Sequence, residues 1–377
     1  MAASLLAGIR VLDLSQYIPG PYATLMLSDL GADVVKVEPP VGDPMRAYGA
    51  EGGGVSPFYA VMNGGKRVIS LNLKTREGKS ALLDLLAVAD VLVESYRPGV
   101  LERLGLGRAV LENANPRLVH CSISSYGKNG PLAEMGAHDL NCMALGGGLS
   151  VSGTTARPVM TTPPVADYAS ALQASLTVAA ALLARQRTGK GCYIDLSMTD
   201  TVLAWQSWVI TDSLRGGSIA RRGTGESNGG LASYNLYETS DGRFISIGAD
   251  EDKFWARFCT AVGRQDWIAR KSEPAPQTAL IDEVQRLIGT RPLSAWNALL
   301  GEVDCCFQPV LNPGELPQHP QVVARKMLAP SGTGGGAIEA LYPAWIDGRP
   351  PDARPAYRDT DAASIRQSWS GAAAHAG

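Results

Sequence analysis

Gly8-Ile9-Arg10-Val11-Leu12-Asp13-Leu14 is followed by Pro19-Gly20-Pro21 and then by Asp33-Val34-Val35-Lys36-Val37-Glu38. The first and last runs are short, apolar and rich in β-branched residues, which predicts two strands. Pro-Gly-Pro predicts a tight loop between them, and residues 22–30 predict a helix. Strand, loop, helix and strand in this order open a doubly wound α/β domain. No G-x-G-x-x-G lies in the connection, so backbone amides are not visibly arranged for a dinucleotide pyrophosphate.

The same alternation continues outward. Residues 67–73, 90–94 and 117–123 predict further strands. Helical stretches separate them, such as 78–89 with Ala81, Leu82, Leu85, Leu86 and Ala89 on one face. Strands alternating with helices argue for a mainly parallel sheet covered on both faces. The strongest helix is predicted over 169–187, stopped by Thr188-Gly189-Lys190-Gly191, and 192–198 returns as a strand. Asp167 stands just before that helix, where an N-cap is the ordinary role of an aspartate. Residues 215–230 are rich in Gly and Arg and predict a mobile connection. Strands over 233–238 and 243–247 flank Thr239-Ser240-Asp241-Gly242, a hairpin turn. A helix begins near Asp252, residues 332–336 read as a flexible join, and the Pro-rich tail after Gly348 reads as extended over the surface.

Composition limits the function classes. The chain has 377 residues, 45% of them hydrophobic and 19% charged, enough for a large core in two or three domains. A net charge of −2 supplies no global field for nucleic acid or an anionic membrane, so neither is expected as a partner. The pairs Lys66-Arg67 and Arg221-Arg222 could bind a phosphorylated ligand, although solvated surface charge is the commoner role. None of the six cysteines forms C-x-x-C, and vicinal Cys305-Cys306 is awkward for a disulfide. Buried, reduced thiols and a cytoplasmic location are expected. No secretory leader is evident, and the apolar stretch 168–184 carries Ser170, Gln173, Ser175 and Thr177, as a buried core helix would.

Taken together, several segments resemble the family III CoA-transferases, a superfamily that includes the α-methylacyl-CoA racemases. They are residues 8–38, Asn63-Gly64-Gly65-Lys66-Arg67 with Leu71-Asn72-Leu73-Lys74, Glu94-Ser95-Tyr96-Arg97-Pro98-Gly99 with Glu102-Arg103-Leu104-Gly105, and Thr188-Gly189-Lys190-Gly191. The likeness resumes at 237–248 and 306–311 and keeps the family's order. It implies an α/β fold with a Rossmann-like large domain over 1–200 and 326–377. A linker over 201–224 and an inserted small α+β domain over 225–325 complete it. It also implies an interlocked homodimer, an acyl-CoA substrate and no tightly bound cofactor.

Resemblance also nominates residues. Arg97 and Arg103 match the nucleotide end of a CoA site, where guanidinium groups suit phosphate and adenine. Leu71 and Asn72 match a stretch lining the adenine, and the Pro19 loop faces the ligand. Many relatives carry arginine where this chain has Pro39, so Arg46 is a substitute candidate. His138 lies in Gly136-Ala137-His138-Asp139-Leu140-Asn141, which resembles the racemases' G-H-D-I-N. Asp167 matches the superfamily's aspartate, and Glu251 matches a racemase glutamate that pairs with the histidine.

Two chemistries follow. Inverting an α-carbon needs a base on one face and an acid on the other, which suits neutral imidazole and a carboxyl of raised pKa. The amide of Asp167 would then face the enolate oxygen. CoA transfer would instead use the Asp167 carboxylate as nucleophile, covered by a Gly-rich loop that residues 223–230 could supply. Departures from the racemase pattern are Tyr168-Ala169-Ser170-Ala171 in place of Phe-Gly-Gly-Gly, Asp252 in place of proline, and Asn235 in place of aspartate.

Overall fold

Val11, Leu12 and Leu14 are fully buried in β1 (Arg10–Leu14), and Val34, Val35 and Val37 in β2 (Asp33–Glu38), as the opening pattern requires. In this computed structural model, residues 4–49, 56–215, 221–332 and 337–373 are described. Part of the expected connection (216–220) and nearly all of the expected join at 332–336 lie outside them.

The chain divides into two compact units. The first comprises Met1–Gly146, Thr162–Ala204 and Pro317–Gly377; the second comprises Gly147–Thr161 and Trp205–Leu316. The first is built on a parallel sheet that adds β3 (Arg67–Ser70), β4 (Val91–Glu94), β5 (Val119–Ser124) and β6 (Cys192–Ser197). Its order is β3-β2-β1-β4-β5-β6, with the short strand Arg358–Asp359 beside β3 at the edge. Strand order reverses between β1 and β4, which is where open α/β sheets form a crevice outside the strands' carboxyl ends.

Three local expectations change. Pro19-Gly20-Pro21 is the first turn of the helix Pro19–Asp29, because proline's fixed φ and missing N–H suit that position. Gly20 is required there, since a Cβ would come 2.1 Å from Ser15 Cβ. The long helix spans Val165–Thr188, so Asp167 is its third residue and not a cap. The tail after Gly348 is anchored, not laid over the surface. Arg354 bonds Asp29 through Nε (2.6 Å) and Nη2 (2.7 Å), and the helix Ala362–Ala373 buries Ile365 and Trp369 in the core of the first unit.

Basic pairs also prove structural. Lys66 is fully buried, and its Nζ lies 3.0 Å from Asp13 Oδ2 and 2.8 Å from both the Pro21 carbonyl and Thr24 Oγ1. Lys36, equally buried, donates to the Ser15 carbonyl at 2.8 Å and forms an ion pair with Asp43 Oδ2, also at 2.8 Å. Burial would raise the Asp13 carboxyl, but Lys66 and Lys36, with hydroxyls of Ser15 and Thr24, outweigh it and hold the group far below the usual range. The network pins the helix start that follows β1.

In the second unit β7 (Tyr234–Glu238), β8 (Phe244–Gly248) and β9 (Phe307–Pro309) form an antiparallel sheet, with the expected hairpin between β7 and β8. Trp255, Phe258, Trp267 and Trp296 fill its core. Residues 223–230, expected to be mobile, form hydrogen-bonded turns: Asn228 Nδ2 donates to the Val151 and Arg221 carbonyls, and Arg222 to the Ser150 and Thr154 carbonyls. The six cysteines are all free.

Candidate active site

A cavity of about 660 Å³ lies at the strand-order reversal of the first unit. Gln16 and Tyr17 approach it from β1, Tyr96 and Arg97 from β4, and Ser124 and Ser125 from β5. His138, Asp167 and Pro19 also line it, so three of the sequence-nominated residues and Arg97 share one space. Arg103, Leu71 and Asn72 do not line it. Arg103 is exposed at the end of the short helix Val100–Arg103. Leu71 packs on the core, and Asn72 Oδ1 accepts the Lys74 amide (3.1 Å) in a local turn.

His138 precedes the helix Asp139–Leu145, and its backbone N–H donates to Asn141 Oδ1 at 3.1 Å. The imidazole is exposed and meets the Tyr17 ring edge-on, with centroids 5.8 Å apart. Arg97 lies against Gly136, where a Cβ would come within 2.6 Å of its Nη2. Glycine at that position therefore lets the guanidinium lie across the segment leading to His138.

Asp167 occupies the first turn of its helix, whose N-cap residue is Pro164 and offers no capping side chain. Asp139 supplies the acceptor instead: its Oδ1 receives the Ala166 N–H at 2.6 Å and the Asp167 N–H at 3.3 Å. The Asp167 amide is thus engaged within the protein, contrary to its expected role toward an enolate. Burial first, and the Asp139 carboxylate second, push the Asp167 carboxyl up to about 7. Sequence reading passed over Asp139. Its signal was present in the His138-Asp139 pair, but the 27-residue gap to Ala166 hid the contact.

Glu251 belongs to the second unit, where it is the N-cap residue of the helix Asp252–Ala261 and makes no side-chain cap bond. Burial, then Glu251, raise the pKa of the Cys306 thiol. Arg46 is already committed. Its Nε lies 2.7 Å from Glu38 Oε2, and its guanidinium sits over the rings of Tyr59 (4.4 Å) and Tyr357 (5.3 Å). Among the described residues no cluster of His, Cys, Asp and Glu could hold a metal ion.

Residues 6–356 match CoA-transferase family III. The chain belongs to that family. Its relatives hold both chemistries. This family III chain is 32% identical over 335 residues to the acetyl-CoA:oxalate CoA-transferase of Acetobacter aceti, covering 86% of this chain and 85% of the relative. It is 31% identical over 323 residues to the human alpha-methylacyl-CoA racemase, covering 83% and 80%. The crystal structure of a CAIB/BAIF family protein from Brucella suis superposes with a TM-score of 0.83 at 28% identity, covering 97% and 99%. Racemases and CoA-transferases alike are enzymes, and so is this chain.

Proposed function

We propose that this chain inverts the α-carbon of 2-methylacyl-CoA thioesters, with His138 and Asp167 as the proton-transferring pair. The observation that carries this reading is one cavity presenting an imidazole and a carboxyl raised to about 7. Such a carboxyl is protonated and ionised in similar amounts near neutrality, so it can serve as acid in one direction and base in the other. The cycle removes the α-proton to His138 from one face and returns one from Asp167 to the other. Arg97 is an exposed cation in the same cavity and suits the anionic arm of CoA, with Pro19 bordering the ligand. Arg103, Leu71 and Asn72 keep their assignment to the nucleotide end on the resemblance. The resemblance also gives Glu251 the task of orienting the imidazole. No tightly bound cofactor is required by this chemistry.

We read the working form as the family's interlocked homodimer. The helix Val165–Thr188 supports an assembly, because Leu172, Leu176 and Leu183 are 45%, 65% and 57% exposed along it. That helix is long and apolar enough to cross a membrane by length and composition. Its buried Ala166, Ala169, Ala171, Ala174, Val178 and Leu182 support reading it as a core helix.

The second reading is CoA transfer, with Asp167 attacking the thioester. It is supported by CoA-transferases among the relatives, at an identity (32%) like that of the racemase (31%). Incubation with a (2R)-2-methylacyl-CoA in D₂O, without acceptor acid, separates the two. Deuterium at Cα with loss of optical purity is the expected result. Hydroxylamine-sensitive labelling of Asp167 without exchange would sink racemisation and favour transfer. His138→Ala should lower inversion about 10²–10⁴-fold, whereas transfer through Asp167 alone would hardly change.

A further inference from the structure

Tyr17 stands in a backbone conformation that tyrosine rarely adopts. Its φ is +65°, in the left-handed region where a Cβ crowds the following carbonyl oxygen. Such strain persists only where the surroundings over-determine it, and it gathers at functional sites. Here the backbone is tied down on both sides. Asp13 Oδ1 accepts the Ser15 N–H at 2.9 Å and the Ser15 hydroxyl as well. The Ser15 carbonyl accepts Lys36 Nζ, which Asp43 holds in turn. The Gln16 N–H donates to Ser95 Oγ at 3.0 Å, so the turn is also fastened to the residue that follows β4. On the other side Pro19 opens the helix Pro19–Asp29, and Gly20 leaves room for Ser15.

The strained turn carries an aromatic ring into the Asp167 cavity. Tyr17 lines that cavity together with His138, and its ring meets the imidazole edge-on with the planes 82° apart. His138 has reason to need such a neighbour. Its backbone N–H is fixed by Asn141, yet its side chain is exposed at the start of a helix. A base that takes a proton from carbon must point along the breaking bond, and a displacement of 1 Å can cost about 10²-fold. An edge-on aromatic pair favours the held ring by about two- to tenfold.

We propose that Tyr17 is a positioning residue for His138. The left-handed turn, locked by Asp13, Lys36 and Ser95, holds the aromatic ring edge-on to the imidazole and fixes the direction in which it takes the α-proton. The inference rests on the racemisation reading for its purpose. In that step the Cα–H bond breaks, its electron pair passes into the enolate, and the proton goes to the imidazole. Tyr17 neither gains nor loses a proton, so its ring is the working part and its hydroxyl is not. The buried Asp13–Lys36 framework then serves the site as well as the fold, because it keeps the strained turn from relaxing.

Three substitutions in the whole protein test this. Tyr17→Phe keeps the ring and should keep kcat. Tyr17→Ala and Tyr17→Gly remove it and should each lower kcat for inversion about two- to tenfold, with KM moving less than about twofold. Glycine adopts positive φ freely, so Tyr17→Gly should unfold at higher urea than Tyr17→Ala, the reverse of the ordinary order. The ordinary order would overturn the locked turn. Unchanged kcat in both, or a kcat in Tyr17→Gly that recovers along with its stability, would overturn the positioning role, and so would a loss in Tyr17→Phe as large as in Tyr17→Ala. The chain has four histidines, and ¹³C labelling of them gives a readout apart from activity. The His138 imidazole should show nuclear Overhauser contact with the ring at position 17 in the parent and in Tyr17→Phe. Its absence would overturn the geometry whatever the reaction. Contact present in a protein that never exchanges the α-proton in D₂O would overturn the racemisation reading, and the task of Tyr17 with it, while leaving the locked turn intact.

Discussion

Asp13 and Asp167 each stand near the start of a helix that packs on the same sheet, yet their surroundings drive them in opposite directions. Asp13 is completely buried and faces Lys66 and Lys36, so its carboxyl is held far below the usual range despite burial. Asp167 is half-buried, and the charged group beside it is another carboxylate, Asp139, so burial and repulsion act together and raise it to about 7. Burial alone therefore does not decide which way a carboxyl is shifted. The sign of the neighbouring charge does. A carboxylate paired with lysine is fixed in one protonation state. One placed beside a second carboxylate can exchange a proton near neutrality.

The largest effect should come from unpairing the structural site. Lys66→Met leaves Asp13 buried with Lys36 as its remaining cation, and should destabilise the protein by about 3–5 kcal/mol in denaturant unfolding. Adding Asp13→Asn should recover part of that loss, since the single change is penalised mainly by the charge left behind. If the double variant is no more stable than Lys66→Met, the pair does not hold the helix start as described.

Much of this division was legible in the sequence, and the failures are instructive. Alternating apolar runs gave β1 to β6 and a parallel sheet, because strand and helix periods are properties of neighbouring residues. Asn63-Gly64-Gly65-Lys66-Arg67 was visible as a motif, but whether Lys66 meets solvent or Asp13 depends on a partner 53 residues away. Asp139 was hidden for the same reason. The prolines at 350, 351 and 355 masked a different signal. Asp361 accepts the Ser364 amide at 2.9 Å, and Ile365 and Trp369 stand four residues apart on the buried side of a helix, a pattern that could have been read.

A smaller effect should appear at Asp167 and with the opposite sign. A carboxyl whose folded pKa is raised costs stability as it ionises, so the cost is absent below about pH 4 and fully present above about pH 7. Asp167→Asn removes that cost. It should abolish inversion yet raise stability at pH 8 by about 2 kcal/mol, a figure discounted for its opening onto the cavity, with no gain at pH 4. A gain of equal size at both pH values would place the cause in packing and not in ionisation.

The finest distinction concerns Asp139, which both caps the helix and repels Asp167. Asp139→Asn separates the two tasks. Its amide oxygen can still accept the Ala166 and Asp167 N–H groups, so the cap survives, whereas a change to alanine would cost about 1 kcal/mol of helix stability. The charge is lost, so the Asp167 carboxyl should fall from about 7 by up to about one unit, burial remaining the larger cause. Inversion that draws its proton from Asp167 needs the protonated form, so the alkaline limb of the kcat profile for that direction should move toward lower pH. The rate at pH 7 should drop a few-fold while the rate at pH 5.5 stays near that of the parent. The reverse direction needs the carboxylate and should change the other way, its acid limb moving down and its rate at pH 6 rising. Opposite shifts for the two directions are what a shared acid–base group requires. Parallel losses in both directions, at every pH, would mean that Asp139 acts through geometry alone and that the contrast with Asp13 does not rest on charge.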